Sequence, residues 1–146
     1  MRGKRSQARE TALQILYQLD ITKDQPAEGL RLFFRDHEVP EGTRSFIGRL
    51  VEGTVGRQEE IDKLLAQYAT NWSLGRMAVV DRNILRLGVF ELLFDGETPQ
   101  KVVINEAVEL AKRFGSADSG KFVNGVLDSI HKAGNPEPSR DGNAGG

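Results

Sequence analysis

The chain has 146 residues and a mass of 16.2 kDa, enough to bury a core without covalent staples. It has no cysteine, which excludes disulfides, thiolate nucleophiles, Cys-ligated zinc and iron–sulfur clusters. With 20 Lys and Arg against 21 Asp and Glu, the net charge of −1 excludes a uniformly basic nucleic-acid coat, so a nucleic-acid site must come from local charge separation. In the first segment Ala8, Ala12, Ile15, Leu16 and Leu19 share a helical face that Leu13 and Tyr17 widen. Ser6 is its expected N-cap, and the helix fades near residues 20–24. Pro26 opens a second helix carrying Leu30, Phe33 and Phe34, which ends before Pro40. Thr43 or Ser45 caps a third, whose apolar face runs from Phe46 through Ile47, Leu50 and Val51 towards Leu65 and Tyr68. That stretch is one long helix or two. Gly48, Gly53 and Gly56 each cost about 1 kcal/mol against Ala, which implies close helix packing, and Gly56 marks the bend.

Residues 71–73 form a break with a cap. Residues 79–94 are apolar around most of the helical circumference, the mark of a central helix buried on several sides. A turn at 95–99 leads to a helix carrying Val103, Ile104, Ala107, Val108, Ala111 and Phe114, with Gly115 as its C′ residue. Ser116 or Asp118 caps the last helix, whose core face starts at Phe122 or Val123 and continues through Val126, Leu127 and Ile130. Residues 134–146 have 8 Gly, Pro or Asn among 13 and are expected to be disordered. The expectation is an all-α fold over residues 1–133 followed by a tail. No apolar run reaches the roughly 18 residues of a membrane span. The basic start runs into an amphipathic segment instead of the apolar stretch of a secretory signal, so a cytoplasmic location is expected.

Catalytic constellations are missing. His37 and His131 are the only histidines, and neither lies in a metal-binding pattern. No phosphate loop, dinucleotide fingerprint or nucleophile elbow occurs. No enzyme activity, metal or cofactor is expected. Charge placement is what remains. Arg2, Lys4, Arg5 and Arg9 fall in the first nine residues with no acid, while the other 137 carry net −5. An arginine-rich arm entering a helix suits RNA, although a frayed, solvated terminus has the same composition. Residues 112–122 combine basic residues, Phe114, Phe122 and the backbone N–H groups of a helix start, a combination suited to phosphate and unstacked bases. The same pattern serves a C-cap followed by an N-cap with both rings in the core. Asp81, Arg82, Arg86 and Glu91 lie inside the most apolar helix, where charge must be paired or must face a partner.

Three segments together resemble the NusB family of transcription antitermination factors. They are Ala8-Arg9-Glu10 with Ala12-Leu13-Gln14 and Leu16-Tyr17, then residues 80–88 with Phe90-Glu91-Leu92, then residues 103–112 with Phe114-Gly115, continuing from Asp118-Ser119 through residues 121–128. The INEAVELAK and KFVNGVLD runs at this separation are the most specific part. The resemblance implies two small helical subdomains packed across each other. It also implies RNA binding without catalysis: NusB pairs with NusE, a small-subunit ribosomal protein, and the pair binds single-stranded boxA RNA in an antitermination complex on RNA polymerase. Carried onto this sequence, the RNA surface comprises Lys4, Arg5, Arg9, Asp118, Lys121 and Phe122. The NusE surface comprises Asp81, Arg82 and Arg86, with Tyr17 and Glu91. The arginine cluster here is diluted by Gly3, Ser6 and Gln7, which shifts weight onto the partner.

Three rivals stand beside this reading. A similar helical domain precedes some ribosomal RNA cytosine methyltransferases; with no cysteine nucleophile in these 146 residues and a glycine-rich tail, no such catalytic domain is expected here. A pure docking scaffold with weak RNA contact fits the acidic body and thin arm. A homodimer could hide the RNA surface.

Overall fold

The computed structural model describes residues 3–69 and 73–134, which are helical with no strand among them. Seven helices follow in order: α1 (Lys4–Thr22), α2 (Pro26–Asp36), α3 (Glu41–Gly56), α4 (Gln58–Tyr68), α5 (Val79–Val89), α6 (Gln100–Phe114) and α7 (Ser119–Gly134). A short 3-10 turn, Leu74–Arg76, precedes α5, and a wider π turn, Phe90–Asp95, extends it. The expected segments at 71–72 and 135–146 lie outside the described residues.

The helices fall into two groups. α1, α2 and α3 pack on one another, while α4, α6 and α7 surround α5. The groups meet where α1 crosses α5 and where α3 meets the π turn. One continuous core runs through both, from Ala12, Ile15, Leu50 and Val51 to Ile84, Leu85, Leu110, Leu127 and Ile130. The expectation of a central helix is met: from Asn83 through Glu91 every residue is buried. In the last helix Val123 is fully buried and Phe122 packs at the edge of the core, which resolves that choice.

Helix ends follow local chemistry, with differences from the expected caps. α1 starts at Lys4 with Gly3 as its cap residue, so Ser6 lies inside the helix, where its hydroxyl donates to Glu106 at 2.8 Å. Lys23 takes the left-handed conformation at φ 65° and closes α1, its N–H donating to the Leu19 carbonyl. α3 starts at Glu41 behind Pro40, ahead of the expected caps. The α3–α4 break falls at Arg57, directly after Gly56. Of the three glycines read as packing sites, Gly53 is one, since a Cβ there would overlap the ring of Phe90. Gly48 and Gly56 meet nothing within 4 Å. Gly96 closes the π turn at φ 70°, a conformation glycine adopts without steric cost.

Candidate RNA and partner interface

Arg9 was expected on the RNA surface and Glu91 on the partner surface; the structure corrects both. Arg9 is 3% exposed and Glu91 2%. Nε and Nη2 of Arg9 donate to the two carboxylate oxygens of Glu91, each at 2.8 Å, and Nη2 also reaches the Thr98 hydroxyl at 3.3 Å. Burial alone would pull the Arg9 guanidinium down, but the hydrogen bond and charge of Glu91 more than reverse this and hold it above its ordinary value. The pair ties α1 to the π turn and leaves neither group for RNA or a partner. The reason is reach: α1 crosses α5 at this level, so a side chain one turn into α1 points at the bundle and away from solvent.

Arg86 and Arg82 are also drawn inward. Arg86 makes a two-pronged bond to Asp62, at 2.8 and 2.9 Å, and a third bond to Asp20. Arg82 donates to Asp20 and to the Leu74 carbonyl. Asn83 donates to the same Asp20 oxygen at 2.9 Å. Burial would raise the Asp20 carboxyl, but the bonds from Asn83 and Arg82 and the charges of Arg86 and Arg82 hold it below the usual aspartate value. Asp20 is therefore a hub that fastens the end of α1 to α5, and Arg82 and Arg86 act as internal braces in place of a docking face.

Lys4 and Arg5 remain exposed on the first turn of α1. The Arg5 guanidinium lies over the Phe46 ring at 4.0 Å from its centre. Arg9 and Arg49 approach the same ring at 5.3 and 5.2 Å. Arg9 is neutralised by Glu91 and Arg49 by Asp95. Among the described residues Arg5 has no carboxylate partner, so its charge is held in place and uncompensated.

Asp118, Lys121 and Phe122 surround the start of α7. Lys121 and Asp118 are exposed, and Phe122 is half-buried. Phe122 lines a groove of about 320 Å³ with Met77, Ala78, Asp81, Asp118 and Ser119. No hydrogen bond from the described residues reaches the Asp118 carboxylate, so it does not cap α7 and is open to a base edge. Phe114, which sequence pattern offered to the core, is 45% exposed. It shares a second groove, of about 350 Å³, with Tyr17, Val80 and Leu13. Tyr17 is 37% exposed there. Asp81 borders the first groove, next to Val80 in the second. Of the residues expected at the partner, Tyr17 is exposed and Asp81 is half-buried; Phe114 and the half-buried Val80, which sequence reasoning left in the apolar faces, line the same groove as Tyr17.

α6 touches α1 at two levels. Ser6 and Arg9 contact Glu106, and further along Glu10 pairs with Arg113 at 3.2 Å. Among the described residues no three His, Asp or Glu converge as a metal site, and no helix is long and apolar enough to cross a membrane.

Comparison with known proteins agrees with this architecture. The transcription antitermination protein NusB of Desulfatibacillum aliphaticivorans is 46% identical over 129 residues, which is 88% of this chain and 90% of that protein. Its counterpart in Myxococcus xanthus is 45% identical over 133 residues, 88% of this chain and 94% of that one. The solved structure of T. maritima NusB matches with a TM-score of 0.82 at 36% identity, covering 94% of this chain and 97% of that one. A chain in the crystal structure of the antitermination factors NusB and NusE in complex with dsRNA matches with a TM-score of 0.82 at 34% identity, covering 91% and 99%. The NusB family model spans residues 6–132, from the first turn of α1 to the end of α7, and the chain belongs to that family.

Proposed function

We propose that this protein is a transcription antitermination factor. It works as a non-catalytic adaptor that binds single-stranded, boxA-like RNA of nascent ribosomal RNA transcripts together with a NusE-type small-subunit ribosomal protein, in a complex on RNA polymerase in the cytoplasm. One observation carries the reading. The start of α7 presents Lys121 and the half-buried Phe122 beside an open Asp118 carboxylate, on the rim of a groove. A solved relative holds NusB and NusE in complex with dsRNA, which supports an RNA ligand and a NusE-type partner for this chain.

The division of labour follows from exposure. Lys4, Arg5 and Lys121 neutralise phosphates, and Phe122 offers an aromatic surface to an unstacked base. Asp118 accepts from a base edge. Tyr17, Val80 and Phe114 form the apolar part of the partner surface, with Asp81 at its border. Three phosphate-facing cations give a salt slope of roughly −2 for single-stranded RNA. The partner adds its own contacts to the same RNA and so raises affinity.

The test is RNA binding by Lys121→Ala and Phe122→Ala with the partner present. Each is expected to weaken binding, and Lys121→Ala alone to reduce the salt slope. Undiminished binding by both variants would move the RNA site elsewhere. Failure of the unaltered chain to bind RNA while the partner still docks would leave a protein-docking scaffold.

A further inference from the structure

We propose that Asp81 and Ser119 are positioning residues for the turn between α6 and α7, and that Asp81 acts on RNA through this turn and not through its own charge. The inference rests on the RNA-binding reading above. Ser119 is 2% exposed, so neither RNA nor a partner can touch it. Its hydroxyl is nevertheless a crossing point. It accepts the Ser116 N–H at 2.9 Å, lies 3.2 Å from the Ser116 hydroxyl and donates to Asp81 Oδ2 at 3.0 Å.

A hydroxyl has one proton to give. An ionised carboxylate only accepts, so the Ser119 proton goes to Asp81 and the Ser116 hydroxyl must be the donor in the 3.2 Å contact. The bonds therefore run one way, from Ser116 to Ser119 to Asp81. The Ser119 N–H returns to the Ser116 carbonyl at 3.1 Å and closes residues 116–119 into a ring. Gly115 fits beneath it because a Cβ there would crowd both the Ser119 side chain and the Ala111 carbonyl. Asp118 sits inside this closed turn, and Lys121 and Phe122 follow on the first turn of α7. Asp81 is on the first turn of α5, so one carboxylate sets the attitude of all three RNA-facing residues.

Two accounts of Asp81 predict opposite signs. If it acted only as a negative charge near phosphate, removing it would tighten RNA binding. As the acceptor that fixes the turn, removing it loosens the turn and weakens binding. Asp81→Ala separates them, since the charge account has it tighten binding and the positioning account has it weaken binding; Asp81→Asn is the control, because its amide oxygen still accepts from Ser119 after the charge has gone.

The experiment measures RNA affinity with the partner saturating, together with amide exchange at Ser116. Asp81→Ala and Ser119→Ala are each expected to weaken RNA binding about fivefold, the worth of one hydrogen bond, and the double variant to do no worse. Asp81→Asn is expected to bind more tightly than Asp81→Ala. Exchange at Ser116 should speed up in Ser119→Ala and stay slow in Asp81→Asn. Asp81→Ala binding RNA as tightly as the unaltered chain, or Ser116 staying protected in Ser119→Ala, overturns the inference and leaves the RNA-binding reading intact. An unaltered chain that binds no RNA overturns both.

Discussion

Arg9 and Glu91 are 82 residues apart in sequence, yet they meet through two parallel 2.8 Å hydrogen bonds inside the bundle. An arginine one turn into a basic helix would ordinarily be free for phosphate. Here it joins the first helix to the π turn. Removing either partner leaves a buried charge without compensation. Arg9→Ala and Glu91→Ala are each expected to lower stability by about 3–5 kcal/mol, read from denaturant midpoints. Where Arg9→Ala is folded, its RNA salt slope should match that of the unaltered chain. A reduced slope would return Arg9 to the RNA surface.

The Asp20 hub has a consequence for pH. Its carboxyl is held below the ordinary aspartate value near 3.8 by Asn83, Arg82 and Arg86. A depressed folded-state value contributes stability that is complete above the unfolded value and is lost as pH falls through the folded one. Urea midpoints should therefore drop as pH falls from about 5 towards 2. The drop should be shallower in Asp20→Asn, which starts from lower stability at neutral pH. Parallel pH profiles for the two proteins would show that Asp20 is not the titrating hub.

Two glycines on α3 provide a paired test of packing. Gly53→Ala would force a methyl group into the Phe90 ring and is expected to cost about 1–3 kcal/mol. Gly48→Ala meets nothing within 4 Å and should raise stability by up to about 1 kcal/mol through helix propensity. Equal effects in thermal melts would contradict the α3–π turn contact.

Much of this architecture is legible in the sequence because it rests on local rules. The 3.6-residue spacing locates the helical segments while leaving α3 and α4 as one helix or two, Pro26 opens α2, Gly56 marks the bend beside which the two separate, and the mostly apolar circumference of residues 79–94 identifies α5 as the centre. The missing parts depend on distant neighbours. Nothing local distinguishes Arg9, which finds Glu91, from Arg5, which finds only Phe46 and solvent. Arg82 and Arg86 could equally have faced a partner until Asp20 and Asp62 arrive from other helices. Phe114 has core spacing, but α6 ends at its level and leaves the ring at the rim. The π turn also has no local signature; its first residue, Phe90, packs against Gly53 of α3.

The same logic separates Lys4 and Arg5, the two residues of α1 proposed to face phosphates. Arg5 is stacked on Phe46, whereas Lys4 has no such support. Arg5→Ala should therefore weaken RNA binding more than Lys4→Ala, with each lowering the salt slope by about 0.7. Phe46→Leu keeps an apolar core residue and removes the aromatic face, so it should approach Arg5→Ala in affinity. Fluorescence anisotropy at several salt concentrations reads all three.

The central claim is that this bundle is an RNA adaptor whose affinity is completed by a partner. Anisotropy of a labelled single-stranded boxA-like RNA, with and without the NusE-type protein and at two salt concentrations, tests it most directly. The account predicts binding that the partner strengthens, that salt weakens with a slope of roughly −2 from this chain, and that Phe122→Ala impairs. RNA binding that is absent under every condition, or indifferent to both partner and salt, would contradict it.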